Sequence, residues 1–144
     1  EMRALGTAPD GTPWTIAVEA PDPTRRTPQS ILSLQDAAVA TSGDYRHWVE
    51  VQGHRLSHTM NPRKGAPLAA SPASVTVIAR TCAEADAWAT ALMVLGADAG
   101  TTLARQRGID ALFLVRDADA GIKSVGIGRI FSGNPAAIRS ATVG

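Results

Sequence analysis

The alternation of apolar and polar positions divides the chain into a strand-rich first third, an irregular middle and a second half in which strands and helices follow one another. Pro9-Asp10-Gly11 is a turn signal, and the run Trp14-Thr15-Ile16-Ala17-Val18-Glu19 alternates enough for a half-buried strand. Residues 21–28 are rich in Pro and Arg, lack periodicity and read as loop. Residues 30–34 and 37–41 are short strand candidates separated by Gln35-Asp36. Residues 45–51, the tight turn Gln52-Gly53 and the return 54–57 read as a hairpin. Residues 58–72 hold three prolines and are expected to form a loop without regular hydrogen bonding, more elaborate than a connector needs.

Residues 74–79 (SVTVIA) are the clearest strand, being rich in β-branched side chains. Thr81 and Glu84 form a capping box that opens a helix running to Leu95, and Gly96 stands where a left-handed closing residue belongs. A second helix is expected over 99–107, closed by Gly108. The apolar run 111–115 reads as a buried strand, 117–121 as a turn, and 122–130 as a strand pairing back antiparallel. The pattern predicts a folded portion over 1–130 and a loosely tied tail over 131–144, where residues are small and weakly patterned.

Composition narrows the function classes. The chain has 144 residues, of which 44% are hydrophobic and 19% charged, the balance of a folded domain. Fourteen Lys and Arg against thirteen Asp and Glu leave a formal charge of +1, which argues against a nucleic-acid partner held on a broad basic surface. A lone cysteine, Cys82, excludes an intrachain disulfide framework and a cysteine-built zinc site. No apolar run reaches the ~20 residues of a membrane-spanning helix. Glu1 and the residues after it read as the continuation of something already structured, so a signal peptide is expected to lie outside the chain.

Three places offer chemistry. Asp86 and Thr90 are spaced four apart, so both oxygens project from one helix face, and an oxygen-only pair suits Mg²⁺. The alternative is a carboxylate on the solvent face or favoured by the helix N-terminus. His58 opens the Pro-rich loop directly after a strand, with Asn61-Pro62 favouring a turn and Gly65 allowing close backbone approach. Thr41-Ser42-Gly43-Asp44 gathers hydroxyls, an unblocked backbone and a carboxylate; it suits a phosphate cradle and equally a plain corner.

Taken in order, ATSGDYR (40–46), SHTMNPRKGAP (57–67), SVTVIA (74–79) and ADAWATALMVLG (85–96) resemble the ApbE family of FAD:protein FMN transferases. The opening EMRALG and PDGTPWTIAVEAP resemble the family stretch that follows an Asn-x-Gly-Gly turn, and the likeness covers residues 1–116. The resemblance implies an α+β fold with a mixed, mostly antiparallel sheet packed by helices, of which this chain is the C-terminal half and the N-terminal half the missing partner. It implies that Asp86 and Thr90 are metal ligands holding Mg²⁺ against the FAD pyrophosphate, and that His58 lies at the flavin phosphate site as a base or a phosphate ligand. Ser42, Gly43 and Asn61 match positions near the dinucleotide. Lys64 and Asn61 depart from the commoner Thr and Asp of the motif, which bears on nucleotide contacts.

The implied reaction moves FMN from FAD onto a Thr or Ser hydroxyl of a flavin-accepting subunit of a membrane redox complex, with release of AMP. The implied setting is the periplasmic side of the inner membrane, through a lipid anchor that this chain lacks. The alternatives are an FAD pyrophosphatase on the same metal site, a flavin-binding module without catalysis, and a fragment that is inert alone.

Overall fold

The β-rich sequence segments become strands in the computed structural model, which describes residues 1–45, 48–68, 71–117, 121–132 and 139–142. The first strands are β1 (Met2–Ala4), β2 (Trp14–Glu19), β3 (Pro28–Gln35) and β4 (Ala37–Gly43). Two hairpins follow, β5 (Trp48–Val51) with β6 (His54–Ser57) and β7 (Met60–Asn61) with β8 (Ala66–Pro67). Then come β9 (Ser74–Ala79), helix α1 (Cys82–Arg107), β10 (Asp110–Arg116), β11 (Ile122–Ile127), the short helix α2 (Gly128–Phe131) and β12 (Arg139–Thr142).

Strands β1, β4, β9, β10 and β11 lie side by side in that order, every pair antiparallel. A smaller sheet orders β12, β3 and β2, with β12 parallel to β3. The architecture is α+β and mostly antiparallel, as the resemblance implied. None of the helices among the described residues is long and apolar enough to cross a membrane.

Side-chain alternation explains how the layers stack. Every residue of β9 is buried. Val75 and Val77 point to the face covered by α1, where they meet Ala89, Leu92, Met93, Ala111 and Phe113. Ile78 points the other way, into a cluster with Leu112, Leu114 and Val39 that the smaller sheet covers through Val18, Leu32 and Leu34. A strand buried on both faces needs apolar side chains at both parities, and SVTVIA supplies them. Its Thr76 hydroxyl is satisfied 2.8 Å away by the Thr41 hydroxyl directly across the β4–β9 ladder.

Helix α1 begins as its capping box requires: the Thr81 hydroxyl accepts from the Glu84 N–H at 3.2 Å. Gly96 interrupts the helix, though in an extended positive-φ conformation (φ 82°, ψ 174°) rather than the expected left-handed one. The two expected helices are therefore the halves of one kinked element, closed at Gly108 with φ 65° and ψ 31°.

Three further expectations are corrected. Residues 58–72 contain the small ladder β7–β8, closed by a turn in which the Asn61 carbonyl accepts from Gly65 N–H at 2.9 Å. The strand expected over 122–130 ends at Ile127, where Gly128 (φ 81°) turns the chain into α2 and Asp110 accepts from the Ile130 N–H. Within the expected tail 131–144, Phe131 is buried in the inter-sheet cluster and Arg139–Thr142 pairs with β3. The rest of that tail, 133–138 and 143–144, lies outside the described residues.

Phe113 is fully buried between α1 and the large sheet, with its ring edge against Gly100. Phe113→Ala is expected to lower the unfolding free energy by about 3–5 kcal/mol in urea denaturation. A loss under ~1 kcal/mol would mean that this layer is not the core.

Candidate functional site

Where the start of α1 faces β4 and β9, the buried side chains between them are small. Ala40 on β4, Ala79 on β9 and Ala85 on α1 form a compact buried cluster. Two residues along β4 from Ala40 is Ser42, an advance of ~6.7 Å at strand rise. Five residues along α1 from Ala85 is Thr90, an advance of ~7.5 Å at helical rise. The two short side chains consequently meet: Ser42 Oγ lies 2.9 Å from Thr90 Oγ1. One helical turn before Thr90, Asp86 is exposed, and its carboxylate makes no hydrogen bond or ion pair among the described residues.

Ser42, Thr90 and Asp86 therefore form one group at the edge of the helix-covered face. Its donors are two hydroxyls and a carboxylate, all hard oxygens of the kind that Mg²⁺ takes. No group of three or more His, Cys, Asp or Glu side chains suited to a metal occurs among the described residues, so a cation held here would have one carboxylate and would rely on ligand oxygens. Gly43 adjoins this group for a packing reason as well. A Cβ there would sit 2.8 Å from the Tyr45 ring, so glycine makes room for the aromatic.

His58 and Asn61 belong to a second group. Both lie on the excursion between β4 and β9 that carries the two hairpins, and His58 is exposed just after β6. Among the described residues no hydrogen bond or ion pair joins either of them to Asp86, Thr90 or Ser42. The Asn61 side-chain oxygen accepts from the Arg63 N–H at 3.0 Å, which shapes the turn before Gly65. The excursion is anchored through Leu68, which is buried with Val75 and Met93 and whose N–H donates to the Thr59 carbonyl at 3.0 Å.

Asp44 ties the two groups together, a role that neither its spacing nor its motif disclosed. Its N–H donates to the Ala73 carbonyl at 3.2 Å and its carboxylate accepts from Ser71 Oγ at 3.1 Å, closing the base of the excursion. Arg116, at the end of β10, donates from both terminal nitrogens to the same carboxylate, at 2.5 and 3.0 Å. The sequence separation of 72 residues left no local signal for this pair.

On the opposite side of β4 an open cleft of about 220 Å³ runs between the sheets, lined by Val39, Thr41, Val18, Glu19 and Tyr45 among others. None of the candidate site residues lines it. Asp10 and Asp22, turn residues outside the candidate site, are held below the ordinary carboxylate range, Asp10 by hydrogen bonds from the Thr12 hydroxyl and N–H and Asp22 by those of Thr24.

A family model described as "ApbE family" matches residues 1–113. Over 119 residues the chain is 42% identical to an FAD:protein FMN transferase of Vibrio cholerae, covering 83% of this chain and 36% of the relative. An Escherichia coli K12 protein of the same name is 35% identical over 119 residues, covering 83% and 34%. Among solved structures, the apo flavinyl transferase ApbE of Pseudomonas stutzeri superposes with a TM-score of 0.72 at 43% identity, covering 87% of this chain and 38% of that one. The Vibrio cholerae flavin transferase ApbE gives a TM-score of 0.71 at 38% identity, covering 85% and 38%. The chain thus spans about a third of the length of the curated relatives it matches.

Arg116 lies just beyond the residues that the family model matches and is half exposed, so its pairing with Asp44 is partly screened. Arg116→Ala is expected to cost about 1 kcal/mol in urea denaturation. Arg116→Lys should recover only part of that, since an ammonium does not reproduce the two-pronged contact. Equal stability of all three proteins would show that the pair contributes nothing.

Proposed function

Because the chain belongs to the ApbE family, we propose that it forms part of a Mg²⁺-dependent flavin transferase that moves FMN from FAD onto a Thr or Ser hydroxyl of an acceptor protein, releasing AMP. The observation that carries this reading is the grouping of Asp86, Thr90 and Ser42 at the end of β4, where the helix presents a carboxylate with no hydrogen bond or ion pair among the described residues beside a hydroxyl pair.

The donor set fits the metal. Asp86 would supply one charged oxygen and Thr90 a neutral one, leaving the remaining positions to water and the FAD pyrophosphate. When bound, Mg²⁺ supplies charge neutralisation on the pyrophosphate and on the bridging oxygen that departs. The rest of the chemistry falls to the protein. The acceptor hydroxyl oxygen bonds to the phosphorus nearest the ribityl chain. The bond from that phosphorus to the bridging oxygen breaks, with its electron pair leaving on AMP. The hydroxyl proton passes to a base, and His58 is the candidate on this chain, an imidazole on an exposed segment. Asn61 shapes the turn that follows His58, so its contribution to binding runs through the form of that loop. Gly43, beside Ser42, leaves room for the Tyr45 ring, and in this reading that strand end would border the nucleotide.

The acceptor in this reading is a flavin-carrying subunit of a membrane redox complex. In this reading the protein works at the periplasmic face of the inner membrane, held there by a lipid anchor.

Full-length protein incubated with FAD, Mg²⁺ and a Thr-containing acceptor peptide should give covalently flavinylated peptide and AMP, read by mass spectrometry. Asp86→Ala should abolish both products. Unchanged turnover in that variant would remove the metal assignment, and free FMN with AMP but no labelled peptide would make the protein a pyrophosphatase.

A further inference from the structure

Threonines inside helices commonly donate their hydroxyl to the carbonyl one turn back. In the second half of α1, Thr101 and Thr102 both do so, onto the Asp98 carbonyl at 3.2 and 2.9 Å. Thr90 differs: its hydroxyl is directed across to β4 and meets Ser42 at 2.9 Å. The contact joins residues 48 positions apart and depends on the close helix–sheet seam at Ala40, Ala79 and Ala85.

We propose that Ser42 is a positioning residue for the metal site, accepting the Thr90 hydroxyl proton and so turning an Oγ1 lone pair of Thr90 toward a divalent cation shared with Asp86. This rests on the metal-site reading given above and adds to it the element that fixes the direction of the neutral ligand. A hydroxyl has one proton and two lone pairs, so a threonine that coordinates through oxygen must place its proton elsewhere. The Ser42–Thr90 distance admits either donor. A cation held on the Thr90 oxygen would polarise its O–H and favour Thr90 as the donor, leaving the Ser42 O–H available to donate its own hydrogen bond. Ser42 is half-buried at the end of β4 whereas Thr90 and Asp86 are exposed, which sets Ser42 behind the ligand pair rather than within it.

The test is Mn²⁺ binding followed by electron paramagnetic resonance in the full-length protein, with Mn²⁺ standing in for Mg²⁺. Ser42→Ala should weaken Mn²⁺ binding about tenfold, the scale of an outer-shell partner. Ser42→Thr, which keeps the hydroxyl, should stay within about threefold of wild type, while Ser42→Val, of the same shape without the hydroxyl, should behave as Ser42→Ala. In a Thr90→Val background the Ser42→Ala change should have no further effect. Equal weakening in both backgrounds, or no effect of removing the Ser42 hydroxyl, overturns the positioning role while leaving the metal site standing. Absence of saturable Mn²⁺ binding in wild type, or undiminished binding in Asp86→Asn, overturns the metal site and the role of Ser42 with it.

Discussion

The burial of β9 on both faces is the constraint on which the rest of the structure depends. A strand in that position favours apolar side chains at both parities, with Thr76 paired to Thr41 and Ser74 the buried polar exception, and it must be covered by a layer on each side. One cover is α1, the other the small β2–β3–β12 sheet. The helix comes from the chain immediately after β9, so it must fold back across the strand it has just left. That return path runs along β4, the antiparallel neighbour of β9, and it sets the helix beside the strand end that carries Ser42.

Small side chains then convert a packing requirement into a chemical one. Ala40, Ala79 and Ala85 let the backbones draw together, and only at that separation can a serine and a threonine touch. Larger residues in the seam would fill the core equally well and hold the hydroxyls apart. The exposed carboxylate of Asp86 costs little where it stands, near the N-terminal end of a helix. Its company gives it meaning: a second oxygen one turn away whose direction is set from the sheet.

How far the sequence discloses this differs from element to element. SVTVIA announced a strand and Thr81-x-x-Glu84 a helix start, because both signals are local and are read by the backbone nearby. The i, i+4 spacing of Asp86 and Thr90 likewise fixed their shared face. Ser42 was a candidate by motif, yet its bond to Thr90 was invisible, since it depends on how closely a helix settles on a sheet. Asp44 stands in a segment that suits a phosphate cradle or a plain corner, and Arg116 falls between the expected strand 111–115 and turn 117–121; their pairing spans 72 positions and carries no periodicity. The strand Arg139–Thr142 was missed because its partner β3 supplies what a weak sequence lacks. Gly96 was placed rightly as a break, but its torsion depends on how the second half of the helix resumes against Phe113 and Ala111.

The clamp at Asp44 has a consequence for how such a protein changes over time. The segment bearing His58 and Asn61 leaves the sheet and rejoins it at one point, held by Ser71, Ala73 and Arg116. Lengthening or replacing a loop whose ends are already fixed adds only a slowly growing entropy term. The sheet, the seam and the side-chain oxygens of Asp86 and Thr90 on α1 can therefore be kept intact while the excursion is rewritten. The excursion could be exchanged as a cassette, with the oxygen cluster of Ser42, Thr90 and Asp86 inherited unchanged beside it.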